Sequence, residues 1–328
     1  MHVRSLREVP RPVMATRLAA LVVCLVCTQC SKSPTGPSTP DGPANPTVPG
    51  PTVPTPTVPT PGPEVFVGAG DIALCTPPQG LQDSTARLLD SLGGTVFTLG
   101  DNAYPNGSRE NYRDCYDKSW GRHIGRTRPA PGNHEYSSPG AAPYFAYFGE
   151  NAGPSGLGYY SYTVGAWHVI SLNSNFADGV GVGVGSPQGQ WLQADLAVSR
   201  GSKCTLAYWH HPLFSSGQNG ENPAMRPIFN LLYEANADLV LSGHDHLYER
   251  FAPQAADGRN DPARGIRQFV VGTGGVQPLY SFMTTRPNSE MRINNTVGVL
   301  KLTLLADGYQ WEFVSPTGVR DSGAGSCH

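Results

Sequence analysis

Asp238-Leu239-Val240-Leu241-Ser242-Gly243-His244-Asp245-His246 places a short apolar run, a glycine and two imidazoles in immediate succession. The run Asp238–Leu241 is too short for a stable helix and reads as a buried strand. Gly243 lets the chain turn sharply where the strand ends. His244 and His246, at alternate positions, can then reach one cluster from a single loop. Four other segments follow the same plan. Val65–Gly70 runs into Asp71, and Thr95–Leu99 into Gly100-Asp101-Asn102-Ala103-Tyr104. Arg128-Pro129-Ala130-Pro131 runs into Gly132-Asn133-His134-Glu135, and Cys204–Trp209 into His210-His211-Pro212. Open α/β sheets bind ligands beyond the carboxyl ends of their strands. The five segments therefore predict one polar site at a sheet edge, with turns at the glycines before Asp71, Asp101, Asn133 and His244.

Between these strands the pattern changes to a helical one. Asp83 is predicted to cap a helix carrying Ala86, Leu88, Leu89 and Leu92, with Gly93 ending it. Ser186 caps a second, with Trp191, Leu192 and Leu196 on one face. A third covers Ile228 to Glu234. Ala166–Leu172 and Ile266–Val271 are further strands. Strands alternating with helices indicate an α/β sheet. Val297–Leu305 and Tyr309–Val314 flank the turn Ala306-Asp307-Gly308, so antiparallel strands close the domain. The folded part shows no internal repeat and no second domain.

The chain has 328 residues, of which 15% are charged, with 39 Gly and 31 Pro and a formal net charge of -2. Such a chain is rich in loops, where catalytic groups tend to sit. It has no global basic field to hold a nucleic-acid backbone, so no nucleic-acid partner is expected. Arg4, Arg7, Arg11 and Arg17 precede the apolar run Leu18–Cys27, which is too short to span a bilayer. Residues 1–30 read as a signal peptide. Cys30, followed by Ser31-Lys32-Ser33, is a candidate lipidated residue and so a lipid anchor to a membrane. Gln29 stands where a small residue is usual, and simple cleavage is the alternative. Proline recurs through residues 31–63, which form an extended, semi-rigid Pro/Thr-rich linker. The folded domain occupies residues 64–328. These features predict an exported protein, in the periplasm, on the outer envelope or outside the cell. Cys75, Cys115, Cys204 and Cys327 then suggest two disulfides. Three pairings are possible, and Cys75–Cys115 with Cys204–Cys327 is the preferred one.

The strand-end residues offer carboxylate, imidazole, amide and phenolate donors. Imidazole suits zinc, iron and manganese, carboxylate oxygen suits harder ions, and phenolate is a good partner for ferric iron. Two metals sharing a carboxylate would clamp the attacking and leaving oxygens of an in-line displacement. That chemistry fits phosphoryl transfer to water, where charge stabilisation is most of the task. In His210-His211 the adjacent side chains diverge, so one of the pair is the ligand. His123 reads as structural or exposed, His168 as a satisfied strand histidine and Asp178 as a turn residue.

The ordered blocks Gly70-Asp71, Gly100-Asp101-Asn102-Ala103-Tyr104, Gly132-Asn133-His134-Glu135, His210-His211-Pro212 and Gly243-His244-Asp245-His246 resemble the calcineurin-like metallophosphoesterases. Leu247-Tyr248-Glu249-Arg250 extends the match, and together the blocks cover roughly residues 65 to 315. Most of that superfamily has Asp-x-His in the first block, whereas here Asp71 is followed by Ile72-Ala73. Tyr104 supplies the replacement ligand seen in purple acid phosphatases, and the sequence looks like their bacterial branch. The resemblance implies a four-layer β-sandwich of two mixed sheets flanked by helices. It implies two metal ions. Fe(III) would be held by Asp71, Asp101, Tyr104 and His246. Fe(II), Zn(II) or Mn(II) would be held by Asp101, Asn133, His210 and His244, with Asp101 bridging. A metal-bound hydroxide would attack the phosphorus of a small phosphate monoester. His134 is expected to contact phosphate or the leaving group as an acid, or else only to orient Asp101, and His211 is the second choice for the acid. Phosphodiesterase or nucleotidase activity on the same metals, or a non-catalytic phosphate-binding role in the envelope, are the alternatives. The resemblance departs in two places. The linker stands where plant members carry a β-domain, and Ser215–Glu221 has none of the histidines that relatives often place there.

Overall fold

Alternation of apolar runs and turn residues produces many short strands and few helices. The computed structural model describes residues 62–76 and 80–328. The expected signal peptide, the candidate lipidation site at Cys30 and almost all of the linker lie outside the described residues. In chain order the strands are β1 (Glu64–Ala69), β2 (Ala73–Leu74), β3 (Thr95–Leu99), β4 (Ala103–Tyr104), β5 (Thr127–Ala130), β6 (Tyr160–Val164), β7 (Trp167–Ser171) and β8 (Cys204–Tyr208). They continue as β9 (Leu239–Ser242), β10 (Tyr248–Phe251), β11 (Arg267–Val271), β12 (Ser289–Ile293), β13 (Val299–Leu304), β14 (Gly308–Ser315) and β15 (Gly318–Ser326). The α-helices are α1 (Gln82–Ser91), α2 (Arg109–Asn111), α3 (Ala142–Phe148), α4 (Pro187–Val198) and α5 (Arg226–Glu234). Among the described residues no helix is long and apolar enough to cross a membrane.

Two mixed sheets result, as expected. The first has the order β15-β14-β13-β1-β3-β5 and the second β12-β10-β11-β9-β8-β7-β6. In the first, β1, β3 and β5 run parallel while β13, β14 and β15 are antiparallel. In the second, β7, β8, β9 and β11 run parallel. The C-terminal hairpin forms as predicted.

Side chains alternate between the faces of a strand, and the core shows it. Leu206 and Tyr208 of β8, with Leu239 and Leu241 of β9, join Phe66, Phe97, Leu302 and Phe313 of the first sheet in one cluster. Phe66 and Phe97 meet at a ring separation of 4.6 Å, and Tyr208 of the opposite sheet lies 6.0 Å from Phe66. Emptying that space by Phe97→Ala costs about 3–5 kcal/mol. Ala207, Val240 and Val270 point the other way and pack on Leu192 of α4 and on Ile228, Phe229 and Leu232 of α5. Ser186 caps α4 by accepting from the Gly189 N–H. Asp83 does not cap α1. Leu81 is the N-cap, and Asp83 lies inside the first turn, where its charge favours the helix dipole instead.

The disulfides are Cys75–Cys115 and Cys204–Cys327. Cys115 sits in the helical turn Tyr112–Tyr116.

Candidate metal centre

Each of the five predicted blocks follows a parallel strand, so all five open on the same edge of the two sheets. The first sheet contributes Asp71 after β1, Asp101 after β3, Tyr104 on β4 and Asn133 after β5. The second contributes His210 after β8, with His244 and His246 after β9. All seven expected donors converge.

The backbone is strained where it presents three of them. Asp71, Asp101 and His244 have φ of 58°, 49° and 70°, in the left-handed region that L side chains avoid. Such strain costs on the order of 1–3 kcal/mol per residue and collects at functional sites. The neighbouring glycines play a different part from the one expected. Only Gly100 has a positive φ among the four. A Cβ on Gly132 would stand 2.2 Å from Asp101 Oδ1, and one on Gly243 would stand 2.8 Å from Asp71 Oδ2. These glycines admit close approach, and the ligand residues themselves make the turn.

The donor atoms form two nests. In the first, Tyr104 Oη lies 2.8 Å from Asp71 Oδ1, 2.9 Å from Asp101 Oδ2 and 3.2 Å from His246 Nε2. His246 Nε2 is 3.4 Å from Asp71 Oδ1. In the second, His210 Nε2 lies 3.3 Å from Asp101 Oδ2, 3.0 Å from Asn133 Oδ1 and 3.1 Å from His244 Nδ1. Donors held at about 2.1 Å from one ion stand roughly 3.0–3.4 Å apart at octahedral or tetrahedral angles. The second nest, at 3.0–3.3 Å, has that spacing, the first, at 2.8–3.4 Å, is slightly tighter, and Asp101 Oδ2 belongs to both.

Proton accounting points the same way. His210 Nδ1 donates to the Leu99 carbonyl and His246 Nδ1 to the Pro278 carbonyl. In the neutral rings the bare Nε2 atoms therefore face carboxylate, amide and phenol oxygens. So many lone pairs in a buried space call for a cation. Without one, burial works against charge on His210, yet the Asp101 carboxylate beside it lifts its pKa to about 9. Burial opposes the Asp101 carboxylate too, but His210 and His134 hold it below the usual range. Burial, then His210, push His244 down to about 4. Burial, then the Asp101 and Asp71 carboxylates, push the Tyr104 phenol well above its ordinary value. A phenolate at Tyr104 therefore requires a strongly polarising ion. The donor set fits two metal ions.

Several groups around the nests carried no functional reading in the sequence. Glu135 is fully buried and accepts from the backbone N–H groups of Asp101, Asn102 and Gly132 and from the Tyr112 hydroxyl. It ties the loop after β3 to the loop after β5. Asp245 accepts from the Ser215 hydroxyl and from the Asn219 and Gly220 N–H groups, fixing the loop beyond His211. Tyr280 stacks on His246 at 4.0 Å with a 17° tilt. Asn173-Ser174-Asn175, beyond β7, adds a sixth strand end, buried beside His211. The signal for these was slight: Glu135 and Asp245 lie inside recognised blocks, but their partners are distant in sequence.

His134 lies at the rim. Its N–H donates to Asp101 Oδ1 at 2.9 Å, its Nδ1 donates to the Pro105 carbonyl, and its Nε2 is 3.7 Å from Asp101 Oδ2. His211 is buried against Ser174 and His244. Burial, then His210 and His244, push its pKa down to about 2. His123 and His168 lie away from the nests, beside Asp90 and Asp195, and Asp178 ends a helical turn, as expected of all three.

Comparison with known proteins bears on the family and the fold. The family model described as calcineurin-like phosphoesterase matches residues 64–248. Purple acid phosphatase 21 of Arabidopsis thaliana is 30% identical over 254 residues, covering 70% of this chain and 54% of that protein. Purple acid phosphatase 22 of the same plant is 33% identical over 138 residues, covering 40% of this chain and 30% of that protein. The chain thus spans about half, or less, of the length of these curated relatives. Among solved structures, the purple acid phosphatase PPD1 from yellow lupin seeds superposes with a TM-score of 0.67 at 19% identity, covering 81% of this chain and 54% of that one. GAP50, the anchor in the inner membrane complex of Plasmodium, superposes with a TM-score of 0.62 at 14% identity, covering 81% and 90%. At these identities the superpositions establish the fold.

Proposed function

This chain belongs to the calcineurin-like phosphoesterase family, and we propose that it is a two-metal hydrolase of phosphate monoesters, of the purple acid phosphatase type. Asp71, Asp101, Tyr104 and His246 would hold Fe(III). Asp101, Asn133, His210 and His244 would hold Fe(II), Zn(II) or Mn(II). The observation that carries this reading is Tyr104, whose hydroxyl sits within 2.9 Å of both Asp71 and Asp101. Ala73, by contrast, stands where the wider superfamily has histidine.

When bound, the ions neutralise charge on the phosphoryl oxygens during displacement. The protein's own groups do the rest. Glu135 fixes the bridging carboxylate by holding the Asp101 and Asn102 N–H groups. Asp71 accepts from the His244 N–H at 2.8 Å, locking together two loops that come from different sheets. His134, with Nδ1 committed to Pro105, can hold a proton at Nε2 for the leaving oxygen. GAP50 has the same fold and is described as an anchor, so here the donor set, not the fold, supports hydrolysis. Two disulfides and the sequence of residues 1–63 support export, with a lipid anchor at Cys30 as one form of that proposal.

Turnover of p-nitrophenyl phosphate against its bis-ester tests the reading. The monoester should have the higher kcat/KM by about tenfold or more. The reverse ratio would make the protein a diesterase. No turnover of either by protein with two bound metals would make it a binding protein.

A further inference from the structure

Strand β7 runs parallel to β8, so the residues after it reach the same edge as His210. Those residues, Asn173-Ser174-Asn175, are buried. Ser174 Oγ accepts the His211 backbone N–H at 2.9 Å and faces His211 Nδ1 at 2.9 Å. A serine hydroxyl has one proton to place. Among the described residues, His211 Nδ1 is the acceptor within its reach. Were Nδ1 protonated instead, Ser174 would accept twice and its own proton would be buried without a partner, which folded proteins avoid. Ser174 therefore donates to Nδ1, and His211 carries its hydrogen on Nε2.

That Nε2–H has no protein partner among the described residues. The nitrogen is not sealed, so its hydrogen opens to solvent from a residue that is only 8% exposed. A ring nitrogen of His211 lies within 4.8 Å of those of His210 and His244. Three other described histidines stand beside Asp90, Asp195 and Asp238. Three more, His210, His244 and His246, belong to the nests. Only His134 and His211 remain for substrate, and their hydrogen bonds are opposite. His134 Nδ1 donates to a carbonyl, which leaves its Nε2 bare in the neutral ring. His211 Nδ1 accepts from a hydroxyl, which leaves its Nε2 a fixed donor.

We propose that Ser174 is a positioning residue that locks His211 as an Nε2–H donor to a phosphoryl oxygen, next to the metal held by His210 and His244. The proposal rests on the phosphate-ester reading above, and it gives the two remaining histidines separate tasks. His134 carries a proton, whereas His211 only donates a hydrogen bond. His211 then stands in for the histidines absent from Ser215–Glu221.

The test uses the full chain loaded with diamagnetic zinc and labelled with 15N-histidine. Long-range 1H–15N correlation should show His211 protonated on Nε2 in the native protein and in Ser174→Thr, and mixed tautomers in Ser174→Ala. Calorimetric titration with inorganic phosphate should show about tenfold weaker binding for Ser174→Ala and for His211→Asn, whose amide cannot reach the Nε2 position. His211→Gln, whose amide can, and Ser174→Thr should stay within about threefold. Metal content is read on every variant. An Nδ1–H tautomer in the native protein, unchanged phosphate affinity in His211→Asn, or metal loss in Ser174→Ala would each overturn the proposal. If Ser174→Ala does not fold, the His211 pair and Ser174→Thr decide it. Tautomer and phosphate affinity are read without turnover, so absent hydrolysis would sink the enzymatic reading and leave this proposal to be judged on its own.

Discussion

The two ends of the parallel strands treat buried charge in opposite ways. At the ligand end, Asp71 and Asp101 are sealed beside a phenol and bare imidazole nitrogens, on backbone held at positive φ. At the other end, Asp238, just before β9, is equally sealed but fully supplied with donors. It accepts from the Thr205 N–H, the His328 N–H and His328 Nδ1, next to the Cys204–Cys327 bridge. One end keeps lone pairs in surplus so that cations bind. The other gives both carboxylate oxygens a donor and is covalently closed. The same strands thus carry a destabilised functional edge and a stabilising edge, the division expected where activity needs strain.

The sharpest way to break that contrast is Asp101→Asn. It should lower kcat/KM by roughly 10³-fold, about 4 kcal/mol of lost charge stabilisation. The metal-free protein should melt lower as well, because the carboxylate that pairs with buried His210 has gone. Unchanged melting in calorimetry would show that Asp101 and His210 are not paired without metal. At the opposite edge, Cys204→Ser with Cys327→Ser should remove about 2–4 kcal/mol in denaturant unfolding. Its kcat/KM should stay within about twofold. A large loss of activity would mean that the two ends are coupled.

How far this division was legible in the sequence varied by residue. Asp71, Asp101, Asn133, His210, His244 and His246 could be placed because each follows a short apolar run, and parallel strands bring such ends together. Tyr104 needed the family pattern, since its meaning depends on the histidine missing at Ala73. The left-handed turns at Asp71, Asp101 and His244 were misplaced onto glycines, because sequence shows where a chain can turn and not which residue does so. Strand β15 was missed: Gly318-Val319-Arg320-Asp321-Ser322-Gly323-Ala324-Gly325-Ser326 has no strand signature. Its glycines make room for the Trp311 and Tyr309 rings of β14, a demand set by the partner strand. Glu135, Ser174 and Tyr280 act through partners dozens of residues away, which local pattern cannot show.

Two smaller effects sharpen the comparison. Glu135→Gln keeps the shape but sets an amide N–H₂ where one carboxylate oxygen accepted two donors. It should cost about 1–3 kcal/mol in unfolding and loosen metal binding in chelator competition. Unchanged metal affinity would remove Glu135 from the ligand scaffold. His328→Ala should show the smallest effect, and a pH-dependent one. The hydrogen bond to Asp238 raises the His328 pKa above its ordinary value. Its contribution is therefore complete below the ordinary histidine range near about 6.5 and fades as pH rises through the raised folded value. Unfolding at pH 5.5 should show a deficit of about 1–2 kcal/mol that shrinks by pH 9. A deficit that grows with pH would mean that the pairing with Asp238 is not what stabilises this end.

The central claim is a paired metal site at the ligand end, with Tyr104 on one of the ions. Metal analysis of the purified chain together with its visible spectrum tests it most directly. The account predicts two equivalents of metal per chain, one of them iron, with a phenolate-to-Fe(III) absorption that disappears in Tyr104→Phe. An active, colourless protein with a single equivalent of metal would contradict it.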